Sequence, residues 1–140
     1  MTRALGLDLG SKRIGIAIGD RTGTIASPLQ VLQRSGSVRR DHQVIAELVT
    51  EEEADIVVVG LPLNMNGSTG PAARAAIHEA AALATVVAVP VVTYDERRTT
   101  VTADQAMMQA NMGAPARRKI VDKIAAAVML QGWLDAGGPR

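Results

Sequence analysis

Acidic side chains stand at three places in this chain where a fold has little use for them. Asp8 lies at the end of the apolar run Ala4 to Asp8, Asp95 and Glu96 close a second run at Pro90 to Tyr94, and Asp122 stands inside the last helical segment. A carboxylate in a strand built for burial is costly unless it is paired or binds a metal. At about 100° per residue, Asp122 shares a helical stripe with Ala125, Ala126, Met129 and Trp133, so it projects from a mostly apolar face. Capping does not account for it, because Pro115 sets the helix start about two turns earlier. The small Ala125 and Ala126 let that stripe approach a sheet closely, and the expectation is that it gathers the carboxylates at the strand ends. Gathered acids repel unless a cation neutralises them, and hard divalent ions prefer oxygen ligands, so a magnesium or manganese site follows. Two such ions about 4 Å apart bind a phosphodiester from both sides and activate water without a Ser, Cys or His nucleophile. The plainer alternative is ion pairing: Asp8 with Lys12 or Arg13, Glu96 with Arg97, and Asp122 with Arg118.

The basic clusters Lys12-Arg13, Arg97-Arg98 and Arg117-Arg118-Lys119 adjoin the same acids, which favours a phosphate backbone as the partner. The loop from Gly60 to Ser68 follows a buried strand and precedes a helix, where ligand loops lie in open sheets. Amides from Gly67 to Gly70 and the hydroxyls of Ser68 and Thr69 could hold a phosphate there; a simple turn with a Ser or Thr cap fits equally well. The segment lacks the lysine of a Walker loop. His42 and His78 stand alone on helices and read as surface or half-buried residues, not ligands.

With 140 residues the chain has the size of one domain, residues 1–140, with 137–140 expected to fray. Phe and Cys are absent and there is one Tyr and one Trp, so the core must be aliphatic, and disulfides, thiolate nucleophiles and Cys-based zinc sites are excluded. Few aromatics are left for stacking bases. A net charge of +1 excludes a histone-like polycation but allows a local basic face. No stretch has the roughly 18 uninterrupted apolar residues of a membrane span, so no membrane partner is expected and the expected address is the cytoplasm.

Those side chains need a scaffold that brings distant segments together. Ala4 to Asp8 and Arg13 to Gly19 read as a hairpin around Gly10-Ser11-Lys12, with Ile14, Ile16 and Ile18 on one face and Gly15, Ala17 and Gly19 on the other. A third strand is expected near Pro28 to Leu32, a helix from Val38 to the acidic stop Glu51-Glu52-Glu53, and a buried parallel strand at Ile56 to Gly60. Pro71 opens an Ala-rich helix to Ala84, and a strand follows from Pro90 to Tyr94. Helices are expected at Thr100 to Asn111 and Ala116 to Asp135, separated by the break Gly113-Ala114-Pro115. A hairpin meander followed by alternating strands and helices gives a mixed α/β sheet covered by helices.

Four blocks now combine: Gly6 to Ala17, Val59 to Ser68, Asp95 to Thr100, and Asp122 with the alanines after it. In order and spacing the chain resembles the YqgF, or RuvX-like, family of the ribonuclease H-like superfamily, whose members are described as Holliday junction resolvases or pre-16S ribosomal RNA nucleases. The resemblance implies a ribonuclease H-like domain: a five-stranded mixed β-sheet, antiparallel through strands 1–3 and parallel through strands 1, 4 and 5, flanked by α-helices. It implies catalytic, metal-binding acids at Asp8, Glu96 and Asp122. Asn66 departs from the family's common Asp, and Arg98 from its common apolar residue.

The expected function is a nuclease dependent on magnesium or manganese and acting on structured RNA or branched DNA. Its ligands are Asp8, Glu96 and Asp122, with Asp95 a further candidate, and Lys12, Arg13, Asn64, Ser68, Arg97, Arg98 and Arg118 are the expected nucleic-acid contacts. By resemblance the task is 5′-end processing of the pre-16S ribosomal RNA, with ribosomal precursor particles as partners, and Holliday junction resolution is the runner-up. A homodimer is compatible with this reading. Two other classes stay open: an actin-like-fold ATPase, because Asp8-Leu9-Gly10-Ser11 resembles that fold's first phosphate loop, and a catalytically silent nucleic-acid-binding module.

Overall fold

The computed structural model describes residues 2–63, 66–95 and 114–138, with side chains in the last stretch from residue 121 onward. Five strands, β1 (Ala4–Leu9), β2 (Arg13–Gly19), β3 (Ala26–Gln33), β4 (Ile56–Leu61) and β5 (Val91–Asp95), form one sheet in the order β3-β2-β1-β4-β5. The β1–β2 and β2–β3 pairs are antiparallel, while β1–β4 and β4–β5 are parallel. This is the mixed sheet that the sequence led us to expect. The third strand is longer than expected because it lies at the sheet edge, where Pro28 forfeits no essential ladder bond; a register shift falls beside it. The helix expected at Thr100 to Asn111 lies outside the described residues.

Alternation along the strands assigns the helices to two layers. Leu5, Leu7, Ile14, Ile16, Ile18, Val57 and Val59 face one way and pack on Ile45, Leu48 and Val49 of α1 (Val38–Glu51) and on Ala80 and Leu83 of α2 (Pro71–Ala84). Ala4, Ala17 and Val58 face the other way and pack on Ala126, Met129 and Leu130 of α3 (Ala114–Asp135). Ser37 caps α1 by accepting the Arg40 N–H at 3.2 Å. Pro71 opens α2 behind the N-cap Gly70, which makes no side-chain capping bond, so a Ser or Thr cap, one of the two readings of this segment, is not what starts the helix.

His42 departs from its reading as a surface or half-buried residue. It is 2% exposed, and its Nε2 lies 2.8 Å from Glu79 Oε2. A carboxylate on the neighbouring helix satisfies the ring, so burial costs it no unpaired polar atom. His78 is exposed, as expected.

Candidate active site

The site begins with two glycines on the α3 face of the sheet. Asp8 pairs in register with Gly15 of β2, and a Cβ added at Gly15 would collide with the main-chain carbonyl oxygen of Asp122. Two residues before Asp8 on β1, a Cβ at Gly6 would stand 3.0 Å from Leu130 Cβ. The helix therefore seats directly on backbone, and Asp122 reaches the level of Asp8 because nothing larger than hydrogen lies between helix and strand. The stripe read from the sequence is the one that packs: Ala125, Ala126 and Met129 are buried, and Trp133 packs at the edge of the same cluster.

Two of the expected acids thus meet. Burial, and after it the negative charge of Asp122, pushes the Asp8 carboxyl up from its usual 3.8 to about 6. Asp122 accepts a 2.6 Å bond from Arg13 Nε, with both side chains 26% exposed. The ion-pair alternative is therefore realised in part, and with a different partner: Arg13 faces Asp122, not Asp8. Alternation puts Arg13 on the α3 face with Gly15 and Ala17, and the seating of α3 on Gly15 brings Asp122 within its reach. Beside the pair lies a cavity of about 210 Å³ lined by Gly10, Ser11, Lys12, Arg13 and Asp122.

The remaining candidates are placed less centrally. Asp95 ends β5, and its register with Leu61 puts it on the α1–α2 face, opposite the face Asp8 and Tyr94 share. Glu96, Asn64, Arg97 and Arg98 lie outside the described residues, as does the side chain of Arg118. Lys12 is exposed at the hairpin turn, and Ser68 lies in an exposed turn where its N–H meets Asn66 Oδ1 at 2.9 Å. Among the described residues, no group of three His, Cys, Asp or Glu is close enough to hold a metal ion. The donor chemistry of Asp8 and Asp122 still fits a hard cation: both offer carboxylate oxygens, and the Asp122 charge that adds to burial in raising the Asp8 pKa is a charge a cation would relieve.

A second polar assembly escaped sequence reasoning. Arg34, just after β3, donates from Nε to the Gly10 carbonyl at 2.7 Å and forks onto Glu79 at 2.9 and 3.0 Å, while Glu79 also meets His42. Three separate elements contribute. A solitary histidine and a surface-like arginine carry no periodic signal that would have joined them.

The family described as RuvX, Holliday junction resolvase, matches residues 2–136. A relative from Myxococcus xanthus (strain DK1622), named "Putative pre-16S rRNA nuclease", is 42% identical over 98% of this chain and 90% of its own length. One of the same name from Mycobacterium sp. (strain KMS) is 46% identical over 95% of this chain and 79% of its own. Among solved structures, Thermus thermophilus RuvC in complex with a Holliday junction substrate superposes with a TM-score of 0.60 at 17% identity, covering 97% of each chain. That likeness establishes a shared fold. Among the described residues, no helix is long and apolar enough to cross a membrane.

Proposed function

The chain belongs to the RuvX family, and from that premise we propose that it is a metal-dependent nuclease that hydrolyses phosphodiester bonds of structured nucleic acid, acting in 5′-end processing of pre-16S ribosomal RNA. One observation carries the reading: Asp122 lies close enough to Asp8 for its charge to raise the Asp8 pKa, and it lines a cavity whose other walls are the Gly10–Lys12 turn and Arg13. Asp8, Asp122 and Glu96 are the proposed ligands of magnesium or manganese. Bound there, the ion supplies Lewis acidity toward a phosphoryl oxygen and an activated water.

The protein's own groups do the rest. Asp8, held against Gly15 at the end of β1, contributes a carboxylate whose proton is lost near pH 6 in the free protein. Arg13 holds Oδ2 of Asp122 and so fixes that carboxylate's orientation. Lys12, at the rim, supplies a charge for a phosphate oxygen. Ser68 and the loop around it, together with Arg97, Arg98 and Arg118, extend the backbone contacts in this proposal.

The family's description favours a second reading, resolution of Holliday junctions. Purified protein is offered a pre-16S RNA carrying its 5′ leader and a four-way DNA junction, each with magnesium, manganese or EDTA. Metal-dependent cleavage of the RNA, lost in Asp8→Asn, is the expected result. Cleavage confined to the junction replaces the first reading with the second, and no cleavage of either substrate with either metal overturns the nuclease.

A further inference from the structure

The turn Gly10-Ser11-Lys12 has open space on both sides. Gly10 and Ser11 line the 210 Å³ cavity beside Asp122, and they also line a separate cavity of about 240 Å³ whose far wall is Pro62, Ala75 and Ala76. Ser11 and Lys12 are exposed. Side-chain packing therefore cannot fix this turn, as it fixes the strands on either side; hydrogen bonds must. Within the turn, the Gly10 N–H donates to the Asp8 carbonyl at 3.1 Å and the Arg13 carbonyl at 2.9 Å. From outside it, Arg34 supplies two bonds. Its backbone N–H reaches the Lys12 carbonyl at 3.0 Å, and its Nε reaches the Gly10 carbonyl at 2.7 Å.

The guanidinium is itself held. Its two terminal nitrogens fork onto both oxygens of Glu79, a geometry that constrains direction as well as distance. Glu79 accepts a further bond from His42 Nε2, since an ionised carboxylate can only accept. Burial pushes the Glu79 carboxyl up, but the bonds from Arg34 and His42 and the guanidinium charge outweigh it and keep the pKa below its ordinary value. Arg34 and Glu79 are 15% and 16% exposed, and His42 is 2% exposed. The chain of contacts runs from α1 through α2 to a carbonyl two residues from Asp8.

We propose that Arg34 is a positioning residue for nucleic-acid recognition: clamped by Glu79 and His42, it holds the Gly10–Lys12 turn in the conformation that presents Ser11 and Lys12 to a phosphate. This rests on reading the adjoining acids as a phosphodiester site. Arg34 also lines the 240 Å³ cavity, but its guanidinium is taken up by Gly10 and Glu79, so in this proposal its effect passes through the turn. A lysine at this position keeps the charge but cannot fork onto Glu79 and reach Gly10 together.

The test compares wild type, Arg34→Gln, Arg34→Lys, Lys12→Ala and the double variant Arg34→Gln with Lys12→Ala. Amide hydrogen exchange is followed across residues 10–13, and binding to a structured RNA and a four-way DNA junction is measured in EDTA. Thermal melting identifies any variant that fails to fold, and Glu79→Gln, which loosens the fork while leaving Arg34 in place, serves as the second route. The turn amides should exchange at least about tenfold faster in both Arg34 variants and in Glu79→Gln, with exchange in β4 unchanged. Binding should weaken about three- to tenfold in Arg34→Gln and equally in Arg34→Lys, and Lys12→Ala should add little in the Arg34→Gln background. Unchanged turn exchange, full rescue by lysine, or additive losses with Lys12→Ala would overturn the proposal while leaving the nuclease reading intact. A wild-type protein that binds neither nucleic acid in EDTA overturns the recognition role, while the nuclease reading stands or falls by cleavage with magnesium or manganese.

Discussion

At the scale of one residue, Asp8 links the stability of the protein to its chemistry. Its pKa of about 6 lies above the usual 3.8, so between those values the folded chain holds a proton that the unfolded chain has released. Stability is then highest below the unfolded value and declines as pH rises through about 6, by at most about 3 kcal/mol for a shift of this size. Asp8→Asn removes that slope. In EDTA the variant should melt at or above the wild-type temperature at pH 8 and close to it at pH 4, and metal-dependent cleavage should be nearly abolished at every pH. A variant that melts well below wild type at pH 8 and still cleaves would mean that Asp8 is a salt-bridged structural acid. Asp122 differs in having Arg13 on one oxygen. Asp122→Asn should therefore lose some stability while losing cleavage as Asp8→Asn does, and the double variant should cleave no worse than either single one, since both changes disable one site. Multiplied defects would place the two acids in separate roles.

At the scale of the elements, the decisive contact is α3 lying on β2. Gly15→Ala forces a Cβ into the Asp122 carbonyl, a main-chain atom that cannot swing away, so it should destabilise the fold by about 2 kcal/mol or more and weaken cleavage by moving Asp122 off Asp8. Gly19 sits on the same face of the same strand, but there the nearest atom to an added Cβ is 3.5 Å away, an ordinary contact. Gly19→Ala should thus be tolerated within about 0.5 kcal/mol. Equal effects of the two changes on urea midpoints would show that helix seating does not depend on Gly15. Much of this arrangement was legible in advance. The alternation of Ile14, Ile16 and Ile18 with Gly15, Ala17 and Gly19 separated the two faces, and the stripe through Asp122, Ala125, Ala126 and Met129 chose the side of α3 that packs. Sheet order came from family resemblance, because period-two patterns say which face a residue takes but not which strand lies next door. Partner choice was the illegible part. Arg13 and Asp122 are 109 residues apart, and only the crossing of α3 over β2 selects that pairing over Arg13 with Asp8. His42 looked like a surface histidine for the same reason: Glu79, which makes its burial affordable, comes from another helix.

At the scale of the whole molecule, recognition has few aromatic groups to work with. The chain has one Tyr and one Trp and no Phe, and Tyr94 and Trp133 both pack against the α3 cluster, with Tyr94 filling the space above Gly132. Both are half-buried there, which leaves little aromatic surface for stacking bases. Net charge is only +1, so attraction to nucleic acid must come from local clusters and not from an overall field. Affinity should accordingly arise from phosphates and fall steeply with salt, with little dependence on base sequence. Discrimination, where it exists, should follow the shape of the RNA. Neutralising Arg97 and Arg98 together should weaken binding to RNAs of the same secondary structure but different sequence by similar factors. Each lost contact should lower the log–log salt slope by about 1. Fluorescence anisotropy of three such RNAs, titrated with wild type and with the Arg97→Gln, Arg98→Gln double variant between low and physiological salt, measures both quantities at once. If one sequence binds far more tightly than the others with an affinity indifferent to salt, side chains read the bases directly, and the phosphate-reading model of the whole surface is wrong.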